Sequence, residues 1–96
     1  MPHYLIANLS IQDREEYSKY EAGFMEILTR HGGKLLAVSD EPEVFEGDWP
    51  YTRAVIVRFA DAAKARAWYE SPEYQALAEH RWRASTGSIV GLRGLA

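Results

Sequence analysis

Hydrophobic and polar positions alternate with period two from His3 to Leu9, where Leu5, Ala7 and Leu9 point one way and Tyr4, Ile6 and Asn8 the other, so a first strand is predicted. The period then lengthens. Tyr17, Tyr20, Phe24, Ile27 and Leu28 recur at three- and four-residue intervals, which places them on one face of a helix. Asp13 stands three residues before Glu16, the spacing of a capping box, and Gly32-Gly33 follows His31 where a helix needs a left-handed closing residue. His31, in the last turn, suits the negative end of the helix dipole.

Lys34 to Ser39 reads as a second strand, Asp40 to Pro42 as a bend, and Glu43 to Glu46 as an extended continuation of a long, broken strand. Gly47, Asp48 and Pro50 then mark a turn into a third strand ending at Phe59, with Val55, Val57 and Phe59 on one face and Ala54, Ile56 and Arg58 on the other. Both faces are largely apolar, which suits an interior strand covered on each side. Asp61 caps the next helix, whose apolar face is Ala62, Ala65, Trp68 and Tyr69. Ser71-Pro72 interrupts it as a fresh cap and first-turn proline, after which Tyr74, Leu77, Ala78 and Arg81 continue the stripe, so a kinked or two-piece helix is expected. Thr86 and Gly87 should end it. Ser88 to Arg93 makes a last strand with Val90 and Leu92 on one face, Ile89 and Arg93 on the other.

Strand, helix, strand, strand, helix, strand is the α+β order of a ferredoxin-like βαββαβ sandwich: a four-stranded antiparallel sheet with helices on one face. The expected helix side carries Leu5, Ala7, Leu9, Val55, Val57, Phe59, Val90 and Leu92. The other side carries Tyr4, Ile6, Asn8, Ile56, Arg58, Ile89 and Arg93, too apolar to face water in a short chain. A second copy packed sheet to sheet would cover it, giving a dimeric α/β barrel with a cleft lined by Asn8, Arg58 and Arg93.

Length and charge narrow the picture. Residues 1–96 read as a single domain, and a monomer of that size buries only about two thirds of its unfolded surface, which adds weight to self-association. With a net charge of −3 and eleven scattered basic residues, nothing favours a phosphate backbone, so nucleic acid is not an expected partner. No cysteine is present, which removes disulfides, thiolate metal sites and a cysteine nucleophile. No stretch approaches the roughly 20 apolar residues of a membrane span, and the N-terminal run lacks the basic flank and length of a signal peptide, so a cytoplasmic protein is expected.

Candidate chemistry concentrates on the second sheet face. Arg58 is permanently charged and able to bind a carboxylate, enolate or phenolate through two parallel hydrogen bonds, or to pair with a glutamate across the dimer. Asn8 would donate to a developing oxyanion or bond to backbone. Tyr4 and Ile56 would line the same cleft. Trp49 beside Pro50 either stiffens the turn or walls a ligand entrance, and Tyr74, otherwise a core aromatic, would present its hydroxyl at the cleft mouth. His3, His31 and His80 lack metal-ligand spacing, so no metal and no cofactor are expected.

His31-Gly32-Gly33, the turn Glu46-Gly47-Asp48-Trp49-Pro50, the strand ending in Phe59, and Ala67-Trp68-Tyr69 with Ser71-Pro72-Glu73-Tyr74 resemble the family of domain of unknown function 1330, over nearly the whole chain. Trp82 in His80-Arg81-Trp82-Arg83 departs from the family pattern, where smaller or aliphatic residues are common. The resemblance implies the dimeric α/β barrel superfamily, which also includes small antibiotic-biosynthesis monooxygenases, muconolactone isomerase and haem-degrading enzymes; it implies no particular reaction. The function expected from residues and resemblance together is a homodimer binding a small anionic or carbonyl-bearing molecule. As an enzyme it would carry out cofactor-independent oxygenation or isomerisation, with Asn8 and Arg58 at the oxyanion. The alternative is a non-catalytic binding or stress-related accessory dimer.

Overall fold

A computed structural model describes residues 1–95. Seven elements follow in order: β1 (His3–Ile11), α1 (Arg14–Arg30), β2 (Lys34–Ser39), β3 (Arg53–Phe59), α2 (Ala62–Glu70), α3 (Pro72–Ala84) and β4 (Ser85–Arg93). The strands form one antiparallel sheet in the order β2-β3-β1-β4, the ferredoxin-like arrangement.

Local chemistry sets the element ends. The Asp13 carboxylate accepts from the Glu16 N–H at 3.0 Å, one half of a capping box. The reciprocal half is absent: the Asp13 N–H donates to the Ala84 carbonyl at 3.1 Å, and the Glu16 carboxylate turns to His80 at 2.6 Å. Gly32 closes α1 at φ 78°, and a Cβ on Gly33 would lie 2.4 Å from Leu28 Cδ1. Ser71 divides the second helical stretch. Its hydroxyl donates to the Trp68 carbonyl at 2.8 Å and accepts from the Tyr74 N–H at 3.2 Å, so one side chain ends α2 and starts α3.

Three expectations are corrected. The chain from 43 to 46 forms no strand, and β2 carries its irregularity internally, as a register shift between Leu35 and Ala37. The helix ends at Ala84, before Thr86, because the Ser85 hydroxyl donates to the Arg81 carbonyl at 2.7 Å and the strand begins there. The faces of β4 are reversed. Ile89 pairs with Ala7 and so lies on the helix side, whereas Val90 and Leu92 pair with Ile6 and Tyr4 on the uncovered side. Gly87 and Gly91 occupy the helix-side positions opposite Leu9 and Leu5; a Cβ on Gly87 would fall 2.0 Å from the Asn8 carbonyl oxygen.

Between sheet and helices lies an aromatic core. Trp68 packs on Tyr74 at 4.1 Å between ring centroids, on Phe59 at 5.4 Å and edge-on to Phe24 at 6.2 Å, while Tyr20 meets Phe24 at 5.5 Å. Each such side chain contributes about 1.5–3 kcal/mol through burial alone. Bulky rings also hold α1 and α3 away from the strands, and the layers do not close completely.

Candidate functional site

The incomplete closure leaves a cavity of about 220 Å³ between the helix layer and the covered face of the sheet. Its floor is Leu5, Ala7, Leu9, Val55, Val57 and Ile89. Its roof comes from one stripe of α1, Tyr17, Tyr20, Glu21 and Phe24, and from Trp68, Tyr74 and Arg81. Helical periodicity brings the first group together, since Glu21 follows Tyr17 by four residues. One end opens between α1 and β2, where Met25, Leu35 and Val38 are partly exposed.

Polar groups converge at the roof. The Tyr20 and Tyr74 hydroxyls are 2.7 Å apart and buried, and burial pushes both phenols above their ordinary pKa; proximity to Tyr74 adds to the rise at Tyr20, while Arg81 opposes it at Tyr74. Both therefore stay protonated at neutral pH, one donating to the other, and neither is a base. Arg81 is 8% exposed and stacks over the Tyr20 ring at 5.7 Å. Burial disfavours its charge, but the Tyr74 and Tyr20 hydroxyls outweigh that and hold its pKa above the usual value. None of the ion pairs among the described residues includes Arg81, and its Nε has no hydrogen-bond partner. The indole Nε1 of Trp68, in the same lining, is likewise buried without a partner.

At the α1 side Arg53 is clamped differently. It donates to Glu21 at 2.7 Å and to Asp40 at 2.6 Å and lies over the Tyr17 ring at 5.2 Å. Those carboxylates raise its pKa, and it lowers that of Asp40. The cation near the mouth is thus neutralised; the cation at the roof is not.

Of the residues named from sequence, Tyr74 lines this cavity, and Tyr4, Asn8, Trp49, Ile56, Arg58 and Arg93 do not; Arg93, expected on the uncovered face, pairs with His3 on the helix side. Tyr4, Ile56, Asn8 and Arg58 lie on the uncovered face, where Tyr4 pairs with Arg58, Ile6 with Ile56 and Asn8 with Ala54. Asn8 and Arg58 are not neighbours: four residues of strand put them about 13 Å apart along β1, at 3.3 Å per residue. Trp49 packs edge-on to Tyr51 at 5.1 Å in the segment before β3 and is outside the cavity lining. Its Nε1 is buried and unpartnered. Tyr17, Tyr20 and Trp68, read from sequence as core, and Arg81, read as part of a helical stripe, prove to be lining residues, and Glu21 was not singled out. Charge on an otherwise apolar stripe was the available signal for Arg81.

Fold and cavity together define a ferredoxin-like α+β protein with a pocket inside the single chain. Within that class the chain belongs to the family described as a domain of unknown function (DUF1330), whose model matches residues 2–95. It is similar to a protein of unknown function from Rhodopseudomonas palustris (16% identity, TM-score 0.81, covering 99% of this chain and 83% of that one). It is also similar to SnoaB, a cofactor-independent oxygenase from Streptomyces nogalater (12% identity, TM-score 0.73, 99% and 94% covered). A dimeric ferredoxin-like protein of unknown function from Jannaschia sp. CCS1 matches at 17% identity with TM-score 0.70, covering 98% and 100%. At these identities the likeness is one of fold. No curated protein matches the chain.

Proposed function

We propose that this protein binds a small, mostly apolar molecule carrying one anionic or carbonyl oxygen, and that it does so in the cavity beneath the helices. The observation that carries the reading is Arg81: a cation buried to 8% exposure, with no carboxylate partner among the described residues, in the lining of an apolar pocket. Buried charges are normally paired, and a ligand oxygen would supply the pair. The Tyr20–Tyr74 hydroxyl pair adds one neutral donor beside it, with Arg81 lying over the Tyr20 ring.

If the bound molecule is enolisable or phenolic, this donor set would stabilise the oxyanion left when a proton departs, the chemistry required for cofactor-independent oxygenation or isomerisation. Glu21 is the carboxylate in the described lining and the candidate proton acceptor, held in place by Arg53. The fold shared with SnoaB supports the same class of reaction. Self-association through the uncovered sheet face belongs to this reading and is supported by dimeric relatives of the fold.

Native mass spectrometry of gently purified protein tests the binding. A reproducible added mass that disappears on denaturation is expected, and Ala7→Leu, which adds bulk to the cavity floor, should abolish it while the protein stays folded. An adduct that survives in Ala7→Leu would place the ligand elsewhere and overturn the reading. A second reading keeps the chemistry at Arg58 on the uncovered face, without Asn8, which lies four strand residues away. What favours it is that Arg58 is flanked in the sheet by Tyr4 and Lys34 and takes part in no ion pair among the described residues. Arg58→Ala separates the two, since it should leave cavity binding unchanged and destroy open-face binding.

A further inference from the structure

A second, open groove of about 790 Å³ runs beside β4, between that strand and the α2–α3 layer. Its lining differs in kind from the cavity's. His3, Arg66 and Arg81 supply cationic or ionisable nitrogens, Ser85, Thr86 and Ser88 supply hydroxyls, and no Asp or Glu belongs to the described lining. Room for it comes from small residues, Ala62 and Ala65 on α2 and Gly87 and Gly91 on β4; a Cβ on Gly91 would fall 2.7 Å from His3 Nε2. Three residues line both spaces: Leu5, Ile89 and Arg81. Two are apolar, so the guanidinium is the polar element of the partition, with its Nε unpartnered.

Size bounds what the inner space holds. An apolar cavity of about 150 Å³ accommodates benzene, so about 220 Å³ takes one ring with small substituents and excludes three fused rings. Charge bounds the rest. One buried cation with no carboxylate partner among the described residues matches a monoanion, and a planar carboxylate fits the guanidinium fork with two parallel hydrogen bonds, whereas a phosphate dianion would remain half neutralised.

We propose that cavity and groove are two halves of one site and that its ligand is a monocyclic carboxylic acid: the ring lies in the cavity, the carboxylate on Arg81 at the partition, and the groove is the anion's approach. The proposal rests on the cavity-binding reading above and adds the ligand class and the route.

Calorimetric titration with benzoate, its neutral isostere benzamide and anthracene carboxylate tests it. For the wild-type protein, benzoate should bind about tenfold or more tightly than benzamide, as a charge-assisted pair requires, and anthracene carboxylate should not bind. Ala62 is exposed at the first turn of α2, where an acidic residue is favourable to the helix, so Ala62→Glu keeps the fold while adding a negative charge to the groove. It should weaken benzoate about threefold or more and leave benzamide unchanged. Arg81→Lys should retain part of the preference for benzoate and Arg81→Gln none, with near-ultraviolet circular dichroism reporting whether the aromatic core is intact. Equal binding of benzoate and benzamide overturns the carboxylate while the cavity reading stands. Benzoate binding indifferent to Ala62→Glu overturns the groove as its approach. Failure of every probe at millimolar concentration overturns the cavity reading itself.

Discussion

The two faces of the sheet are built from similar residues and meet different fates. On the covered face Leu9 is 2% exposed, Val57 4% and Phe59 0%, locked under rings from three helices. On the other face Val90 is 50% exposed and Leu92 52%, beside Tyr4, Ile6 and Ile56, with none of the three helices over them. The covered face accounts for the fold of one chain and leaves a pocket where its aromatics do not fill the gap. The uncovered face is the one proposed to meet a second copy, and its residues Tyr4, Ile6, Ile56 and Leu92 are outside the lining of the cavity. Apolar surface alone therefore does not mark a binding site; the proposed one rests on Arg81, buried with no carboxylate partner among the described residues.

The largest effect that would sharpen this contrast is on stability. Phe59→Ala should cost about 3–5 kcal/mol in urea unfolding, as a fully buried ring replaced by a cavity does. Leu92→Ala, on the uncovered face, should cost less than about 1 kcal/mol under dilute conditions; a comparable loss from both would erase the distinction. Next comes association. Leu92→Asp puts a charge where the second copy is proposed to sit, and should weaken self-association by more than about 2 kcal/mol in sedimentation equilibrium with the monomer fold retained. Unchanged association would mean that the copies meet elsewhere.

Smaller effects probe the polar groups within the helix layer. Tyr20→Phe removes one member of a buried hydroxyl pair and should cost about 1 kcal/mol in urea unfolding, with the Tyr74 hydroxyl left without its partner. Glu16 provides a control outside both faces. Its hydrogen bond with His80, opposed by partial desolvation and reinforced by Lys19 and Arg83, lowers its pKa from 4.5 to about 2. A carboxylate whose pKa is depressed on folding adds stability that is present above about pH 4.5 and is lost as the pH falls towards 2. Glu16→Gln should flatten the stability profile over that interval; an unchanged profile there would show that the ion cluster is inert.

Much of the architecture was legible because local signals agreed with the global fold. Asp13, Gly32, Asp61 and Ser71-Pro72 each mark an end by a local hydrogen bond or backbone requirement. The reversal of β4 has an equally specific cause. Its covered positions are Gly87, Ile89, Gly91 and Arg93, two of them glycines that make room for β1 and His3, so Val90 and Leu92 formed the more apolar alternate set and imitated the core side. The cavity itself follows from how rings on α1, α2 and α3 meet in space, which no periodicity encodes. Arg81 was visible as a charge on an apolar stripe; that no carboxylate among the described residues pairs with it is seen only in the folded chain.

Three tryptophans make the central claim directly measurable. Trp68 lines the cavity, Trp82 the groove, and Trp49 neither. In a ¹⁵N–¹H spectrum of the indole groups titrated with benzoate, the Trp68 Nε1–H resonance should move furthest, Trp82 less, and Trp49 not at all. A Trp68 resonance that stays fixed while benzoate binds would contradict the placement of the site beneath the helices.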